Sequence, residues 1–186
     1  SYTEAMRIDP TGKVGIGTDS PSSFVESSRF VVGSGTSGTN EMMFLYSGTN
    51  TFGAIGFADG TSGSDRYKGI IGYHHTGDEM FFSTNGGGEA DRDLTISSLG
   101  NVGIGTSSPS TNYTKQVHIH STGTGSSLHL TDNVSGAGNG DGFELITHNG
   151  SAYVWQRESN NLMFGTAATE RMRIDASGHV LIGKTS

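Results

Sequence analysis

The residues nearest to a metal-ligating pattern are His118 and His120, within Val117-His118-Ile119-His120. In an extended strand, residues two apart share a face and lie about 7 Å from one another, and imidazole nitrogens suit transition metals. The same alternation also lets both rings face water while Val117 and Ile119 enter a core. The related segment Phe30-Val31-Val32-Gly33 carries no histidine, which favours the solvated reading. His74 and His75 are adjacent, so they project to opposite faces; with Asp78 and Glu79 they read as a solvated loop. Asp59, Asp65, Asp78, Glu79, Glu89, Asp91 and Asp93 form an acidic stretch. Glycan hydrolysis needs two carboxylates at a set separation, which spacing alone does not supply here, so a solubilising surface is the default. Four aromatic residues, Tyr67, Tyr73, Tyr153 and Trp155, are of the kind that stacks on sugar rings, although packing is the commoner use of such side chains.

Other chemistries lack their residues. Serine is plentiful, but no Gly-x-Ser-x-Gly stands between a strand and a helix. Gly183-Lys184-Thr185 resembles the end of a phosphate loop without the upstream glycine spacing or a following helix. No Asp-x-Asp-x-Asp-Gly calcium loop occurs. Cysteine is absent, which removes disulfides, thiolate zinc sites and cysteine nucleophiles together. The expectation is therefore a protein that is not an enzyme and uses no cofactor.

The elements that would position these residues are set by a unit that appears three times. It reads Met6-Arg7-Ile8-Asp9-Pro10-Thr11-Gly12-Lys13-Val14-Gly15-Ile16-Gly17-Thr18, then Leu94-Thr95-Ile96-Ser97-Ser98-Leu99-Gly100-Asn101-Val102-Gly103-Ile104-Gly105-Thr106, then Met172-Arg173-Ile174-Asp175-Ala176-Ser177-Gly178-His179-Val180-Leu181-Ile182-Gly183-Lys184. Each copy alternates apolar and polar residues, turns on a glycine, and resumes the two-residue period, the signature of a β-hairpin. Ile16, Ile104 and Ile182 stand 88 and 78 residues apart, so the period is long and slightly irregular. Pro21 and Pro109 close turn-rich boundaries after the first two copies. The expected organisation is a repeat hairpin and linker over 1–23, a β module over 24–110 ending in the second hairpin, and a second β module over 111–186 ending in the third.

Between the hairpins further runs match loosely. Phe30-Val31-Val32 corresponds to Val117-His118-Ile119-His120, Met42-Met43-Phe44-Leu45-Tyr46 to Leu128-His129-Leu130, Ala54-Ile55-Gly56-Phe57 to Phe143-Glu144-Leu145-Ile146, Gly69-Ile70-Ile71-Gly72-Tyr73 to Ala152-Tyr153-Val154-Trp155, and Met80-Phe81-Phe82-Ser83-Thr84 to Leu162-Met163-Phe164-Gly165-Thr166. Helical periodicity is interrupted everywhere by glycine or by Ser, Thr and Asn, so the expected class is all-β. The loops 33–40, 60–64, 86–88 and 135–142 are polar and are expected to face solvent.

Of 186 residues 32% are hydrophobic and 30 are glycine, too little apolar side chain for a lone chain to offset its ordering entropy comfortably. Disorder is the competing account of that composition, but charge is a modest 16% while six Tyr, nine Phe and one Trp sit in β-patterned runs. Something outside the chain is expected to complete the core. The net charge of −7, without a basic cluster, argues against nucleic acid as a partner. No run approaches the roughly 18 apolar residues that span a bilayer, and the chain reads as a processed or partly ordered piece of a longer polypeptide.

The recurring Met-Arg-Ile-Asp-x-x-Gly-x-Val-Gly-Ile-Gly-Thr-x-x-Pro pattern resembles the repeat regions of bacteriophage tail fibres and tailspikes. Arg7 to Thr18, Thr169-Glu170 with Arg173 to Gly183, and the closing Val180 to Thr185 carry the resemblance. It implies three parallel, intertwined chains around a long axis, with tandem short-strand modules joined by glycine hairpins. Val14, Ile16, Val102, Ile104, Val180 and Ile182 would then pack at the trimer axis, and three copies of His118 and His120 could surround a metal. The implied partners are the other two chains, neighbouring tail or fibre proteins, and a host-surface receptor, foremost a glycan; the implied location is the virion, outside the cell. Members often continue into a self-cleaving chaperone domain, of which this sequence holds nothing. Two departures stand out: Thr95-Ile96-Ser97 replaces Arg-Ile-Asp in the second copy, and Leu181 replaces a glycine in the third. The alternatives are a tailspike glycan depolymerase and a cellular extracellular adhesin or filament subunit.

Overall fold

The computed structural model describes residues 5–18, 20–23, 30–33, 43–86 and 91–183. The chain divides at Ser47/Gly48 into two compact units. Among the described residues every regular element is a strand or a short 3-10 turn; the chain is all-β, as expected.

The first unit contains β1 (Met6–Ile8), β2 (Val14–Ile16) and β3 (Phe30–Val32). β1 and β2 are antiparallel, and β3 returns parallel to β2. The second unit opens with six strands in sequence order: β4 (Phe52–Phe57), β5 (Gly69–His74), β6 (Glu79–Thr84), β7 (Leu94–Ile96), β8 (Val102–Ile104) and β9 (Val117–Ile119). They form an antiparallel meander until β9, which lies parallel to β8. Two three-stranded sheets follow. One holds β10 (Gly125–Leu130), β11 (Phe143–His148) and β12 (Ser151–Gln156), the other β13 (Leu162–Thr166), β14 (Thr169–Ile174) and β15 (Val180–Ile182).

The three repeats fold into the same hairpin, and each sequence position has a reason. In the first, the Gly12 N–H donates to the Asp9 carbonyl at 2.9 Å and the Asp9 N–H to the Lys13 carbonyl at 3.0 Å. Ser97 with Gly100 and Asn101, and Asp175 with Gly178 and His179, repeat both bonds. Gly12, Gly100 and Gly178 take φ of 80°, 75° and 85°, a left-handed conformation that L side chains rarely adopt. The residue opening the turn also caps it. Asp9 Oδ1 accepts from Thr11 N and Lys13 N, and Asp175 Oδ1 accepts from Ser177 N and His179 N. In the second copy the Ser97 hydroxyl accepts from Asn101 N, so serine keeps one of the two bonds.

The Gly-Thr-x-x-Pro tail is equally physical. Thr18 Oγ1 accepts from Ser20 N and Thr106 Oγ1 from Ser108 N, folding the chain back over the middle glycine of β2 or β8. A Cβ on Gly15 would stand 2.8 Å from the Thr18 carbonyl oxygen and 3.3 Å from Pro21; on Gly103 the distances are 2.5 Å to Thr106 and 3.5 Å to Pro109. Pro21 and Pro109 are both buried. After the fold-back the chain enters β3 or β9, parallel to the hairpin. β9, placed by the sequence in the second module, therefore shares a sheet with β8 of the first. The structure gives Leu181, the third copy's counterpart of these glycines, no such covering proline among the described residues.

Alternation gives the six-stranded sheet two unlike faces. On one, Ala54, Gly72, Phe81, Thr95, Gly103 and His118 stand in one cross-strand row. Phe81 and Thr95 there have no solvent exposure. The Phe81 ring lies across Gly72, where a Cβ would overlap it; Phe52 meets it edge-on at 6.0 Å and the Arg92 guanidinium covers it at 4.9 Å. Apart from Pro21 and Pro109, Ile70 and Phe81 are the buried apolar side chains of the described residues, a thin core for a chain of this length.

Two expectations differ from what forms. Met43 to Tyr46 make no strand and are exposed; Met42 lies outside the described residues. β12 and β13 do not pair as β5 and β6 do. The Arg157 N–H donates to the Gly142 carbonyl and the Gly142 N–H to Glu158 Oε1, so the chain stays on β11 instead of turning into the next strand. The loop 135–142 faces solvent as expected over residues 137–140; Asp132 and Asp141 organise it, their carboxylates accepting from the backbone N–H groups of Val134, Ser135 and Gly138, and Gly142 at its end is buried. Loop 60–64 leads into a 3-10 turn, Gly63–Tyr67. Residues 34–40, 87 and 88 of the other two loops lie outside the described residues.

Candidate functional site

Two surfaces remain after the sheets are built. The first is the other face of the strands just described. In the first unit Met6, Ile16 and Val32 form one cross-strand row and Ile8, Val14 and Phe30 the next. In the six-stranded sheet Ile55, Ile71, Phe82, Leu94, Ile104 and Ile119 make a single apolar row, flanked by Tyr73, Met80, Ile96, Val102 and Val117. In the last sheet the rows are Leu162, Ile174 and Val180, then Phe164, Met172 and Ile182. All six residues assigned from the sequence to a trimer axis lie on these faces; Val14 and Val102 are half-buried, while Ile16, Ile104, Val180 and Ile182 are exposed, Ile104 at 41% and Ile182 at 73%. Sequence reasoning missed the rest of the long row, although the same alternation in β4 to β7 marks it.

The apolar surface continues beyond β9. Val117 and Ile119 share a concavity of about 450 Å³ with Leu128, Leu145, Ala152 and Val154 of the next sheet, the last four standing on one face of β10 to β12.

The second surface is the opposite face of β10 to β12. Its rows are Gly125, His148 and Ser151; Ser127, Ile146 and Tyr153; His129, Glu144 and Trp155. The β11–β12 turn sets this register with Asn149 and Gly150 at φ of 48° and 78°, as two-residue hairpins favour. Tyr153 and Trp155, two of the four aromatic residues singled out by type, come together with centroids 5.8 Å apart and planes at 57°. Arg157 stands over the indole at 5.1 Å and donates through Nε to Glu144 Oε2 at 2.7 Å. That guanidinium, with the Ser127 hydroxyl contributing, holds the Glu144 carboxyl below its usual range against the opposing effect of burial. Around them runs a groove of about 610 Å³, lined also by Ser127, Ile146 and His148, within the range of roughly 300–1,000 Å³ typical of small-ligand sites. Glu144 and Arg157 were not foreseen; they are 13 residues apart in sequence and meet through strand pairing.

The other two aromatics lie elsewhere. Tyr67 sits in the 3-10 turn with Arg66 over its ring at 5.3 Å. Tyr73 is in β5 on the open apolar face, its hydroxyl donating to Asp78 Oδ1 at 2.8 Å. The histidine pair is as close as alternation predicts, with ring centroids 5.9 Å apart. His118 Nδ1, however, accepts the Ser110 N–H at 3.1 Å, and among the described residues no three His, Cys, Asp or Glu side chains converge as a metal site. His75 packs edge-on against Tyr73 at 5.0 Å. The acidic stretch is dispersed into structural roles. Asp65 pairs with Lys68 at 3.3 Å, Glu79 with Arg92 at 2.5 Å, and Asp93 Oδ2 accepts both the N–H and the hydroxyl of Thr84. Glu89 and Lys184–Ser186 lie outside the described residues. Among the described residues no helix is long and apolar enough to cross a membrane. Comparison with protein-family models and with curated proteins finds no match to this chain.

Proposed function

We propose that this chain is a structural and receptor-binding segment of a homotrimeric fibre of the bacteriophage tail type, carried on the virion and reaching a glycan or protein on the host surface. The observation that carries the reading is that each of the three hairpin units leaves an apolar face open.

Copies of the same chain are the occupants that fit. A periodic row of Ile, Val, Leu and Phe is matched in register by the identical row of a parallel neighbour, and association also covers the edge strands, whose backbone groups would otherwise template aggregation. The tail-fibre assignment itself rests on the repeat grammar, in which the turn glycines and the Gly-Thr-x-x-Pro tail serve chain geometry. In this reading the hairpins are joints between modules and carry no chemistry.

Native mass spectrometry and light scattering of the purified chain test the proposal. The expected mass is three times that of the 19.4 kDa chain; a stable, folded monomer overturns it.

A further inference from the structure

We infer that the groove over β10 to β12, built on Tyr153 and Trp155, is a binding site for a neutral saccharide, with Glu144, Arg157, Ser127 and His148 as its hydrogen-bonding rim. This inference rests on the proposed fibre reading for the biological source of the ligand. The chemistry of the groove stands on its own geometry.

The two faces of this sheet differ in kind. Leu128, Leu145, Val154 and Ala152 lie on one side, toward the open apolar surface. The other side carries two aromatic rings among hydroxyl, imidazole, carboxylate and guanidinium groups. An aromatic pair buried for packing has its rings enclosed; here Trp155 is 43% exposed at the wall of a groove. A pyranose ring presents axial C–H groups on its faces and hydroxyls around its equator. A tilted aromatic pair answers the first, and a rim of donors and acceptors answers the second.

Charge selects the class further. Glu144 and Arg157 neutralise one another at 2.5 Å, and the pair is fixed before any ligand arrives, since the guanidinium is also stacked on the indole. The groove thus presents fixed polar groups with no net charge to recruit an acidic sugar. A preformed carboxylate–guanidinium pair next to a ring platform holds adjacent hydroxyls with little further ordering cost. Nucleobases also stack on aromatic rings, but the chain carries a net charge of −7 and the groove has a carboxylate where a phosphate backbone would need cations.

Trp155 is the one tryptophan of the chain, so tryptophan emission, excited selectively beyond the tyrosine absorption band, reports on this groove alone. The full chain is titrated with maltoheptaose, cellohexaose and mannohexaose, with hexagalacturonate and a thymidine oligonucleotide as charged comparisons. A saturable change in Trp155 emission with at least one neutral oligosaccharide is expected. Calorimetry with the same sugar is expected to show at least a tenfold loss of affinity for Tyr153→Ala and for Trp155→Ala, and retention within a few-fold for Trp155→Phe. Circular dichroism and solution mass are followed for each variant, so that a misfolded one is recognised; Tyr153→Ser and Arg157→Met then supply the comparison. No saturable response to any neutral sugar, equal affinity in the Tyr153 and Trp155 variants, or tighter binding of hexagalacturonate or the oligonucleotide overturns the inference. The mass is measured on the same sample: a monomer that binds sugar removes the fibre reading and leaves the groove, and a trimer that binds none does the reverse.

Discussion

Asp9 and Asp175 show how much of a repeat can rest on one side chain. Each carboxylate accepts two backbone N–H groups of its own turn, and each is held below the usual carboxylate range, Asp9 first by the Thr11 hydroxyl and Asp175 first by the His179 N–H. A carboxyl depressed in the folded state stabilises the fold fully above its unfolded value of about 3.9 and loses that contribution as pH falls toward the folded value. Acidification below about pH 4 is therefore expected to loosen the first and third turns. The second, capped by the Ser97 hydroxyl, has no proton to take up at that position. The amide resonances of Gly12, Gly100 and Gly178 followed by NMR from pH 6 to pH 2.5 check this; Gly12 and Gly178 should titrate together while Gly100 stays near its starting position. Equal movement of all three would assign the effect to global unfolding. The aspartate was readable as part of a repeat, but its work as a cap became clear only with the hydrogen bonds, because Asp-Pro-Thr-Gly spacing does not say which oxygen meets which amide.

At the scale of the element, the hairpin and its fold-back tail form one unit whose grammar is steric. Gly103 is required because the Thr106 carbonyl and Pro109 occupy the place of a side chain, and Gly15 repeats the arrangement with Thr18 and Pro21. Gly103→Ala is expected to cost about 1–3 kcal/mol, the usual range for inserting a methyl group into filled space, read as a lower midpoint in thermal or urea denaturation. Gly56→Ala is the control, since nothing lies within 4 Å of its would-be Cβ; it should be neutral or slightly stabilising, as a strand glycine replaced without strain is. If both variants melt together, the close approach at Gly103 is not what the glycine serves. The sequence made the glycines visible through their recurrence. It did not reveal that β3 and β9 add to the hairpins in parallel, because a parallel neighbour is fixed by the path of the Thr-x-x-Pro tail, and polar turn residues do not encode a direction.

At the scale of the whole molecule the question is what covers the open rows. Ile104 stands fifth of the six residues in the longest, between Leu94 and Ile119. Ile104→Asp would set a charge where the proposed partner chain packs, and burying an unpaired carboxylate is strongly unfavourable. The trimer is expected to dissociate or fail to assemble, seen as a fall in mass by light scattering at matched concentration. Unchanged assembly would place the axis elsewhere. Thr114, in the exposed loop before β9, should accept the same charge as Thr114→Asp with no change in mass.

The sequence by itself determined the all-β class, the three hairpins, the positions of their turn glycines and the alternation that puts Val14, Ile16, Val102, Ile104, Val180 and Ile182 on one face of their hairpins. All of these follow from local rules: a two-residue period, a left-handed turn position, and too little apolar side chain to close a core alone. Tertiary structure decided what depends on partners distant in sequence. It joined Ile55, Ile71, Phe82, Leu94, Ile104 and Ile119 into one row and set Arg157 on Glu144. It also separated Tyr67 and Tyr73 from Tyr153 and Trp155. Strand register carries each of these, and register is a property of pairs of strands that no single stretch of residues contains.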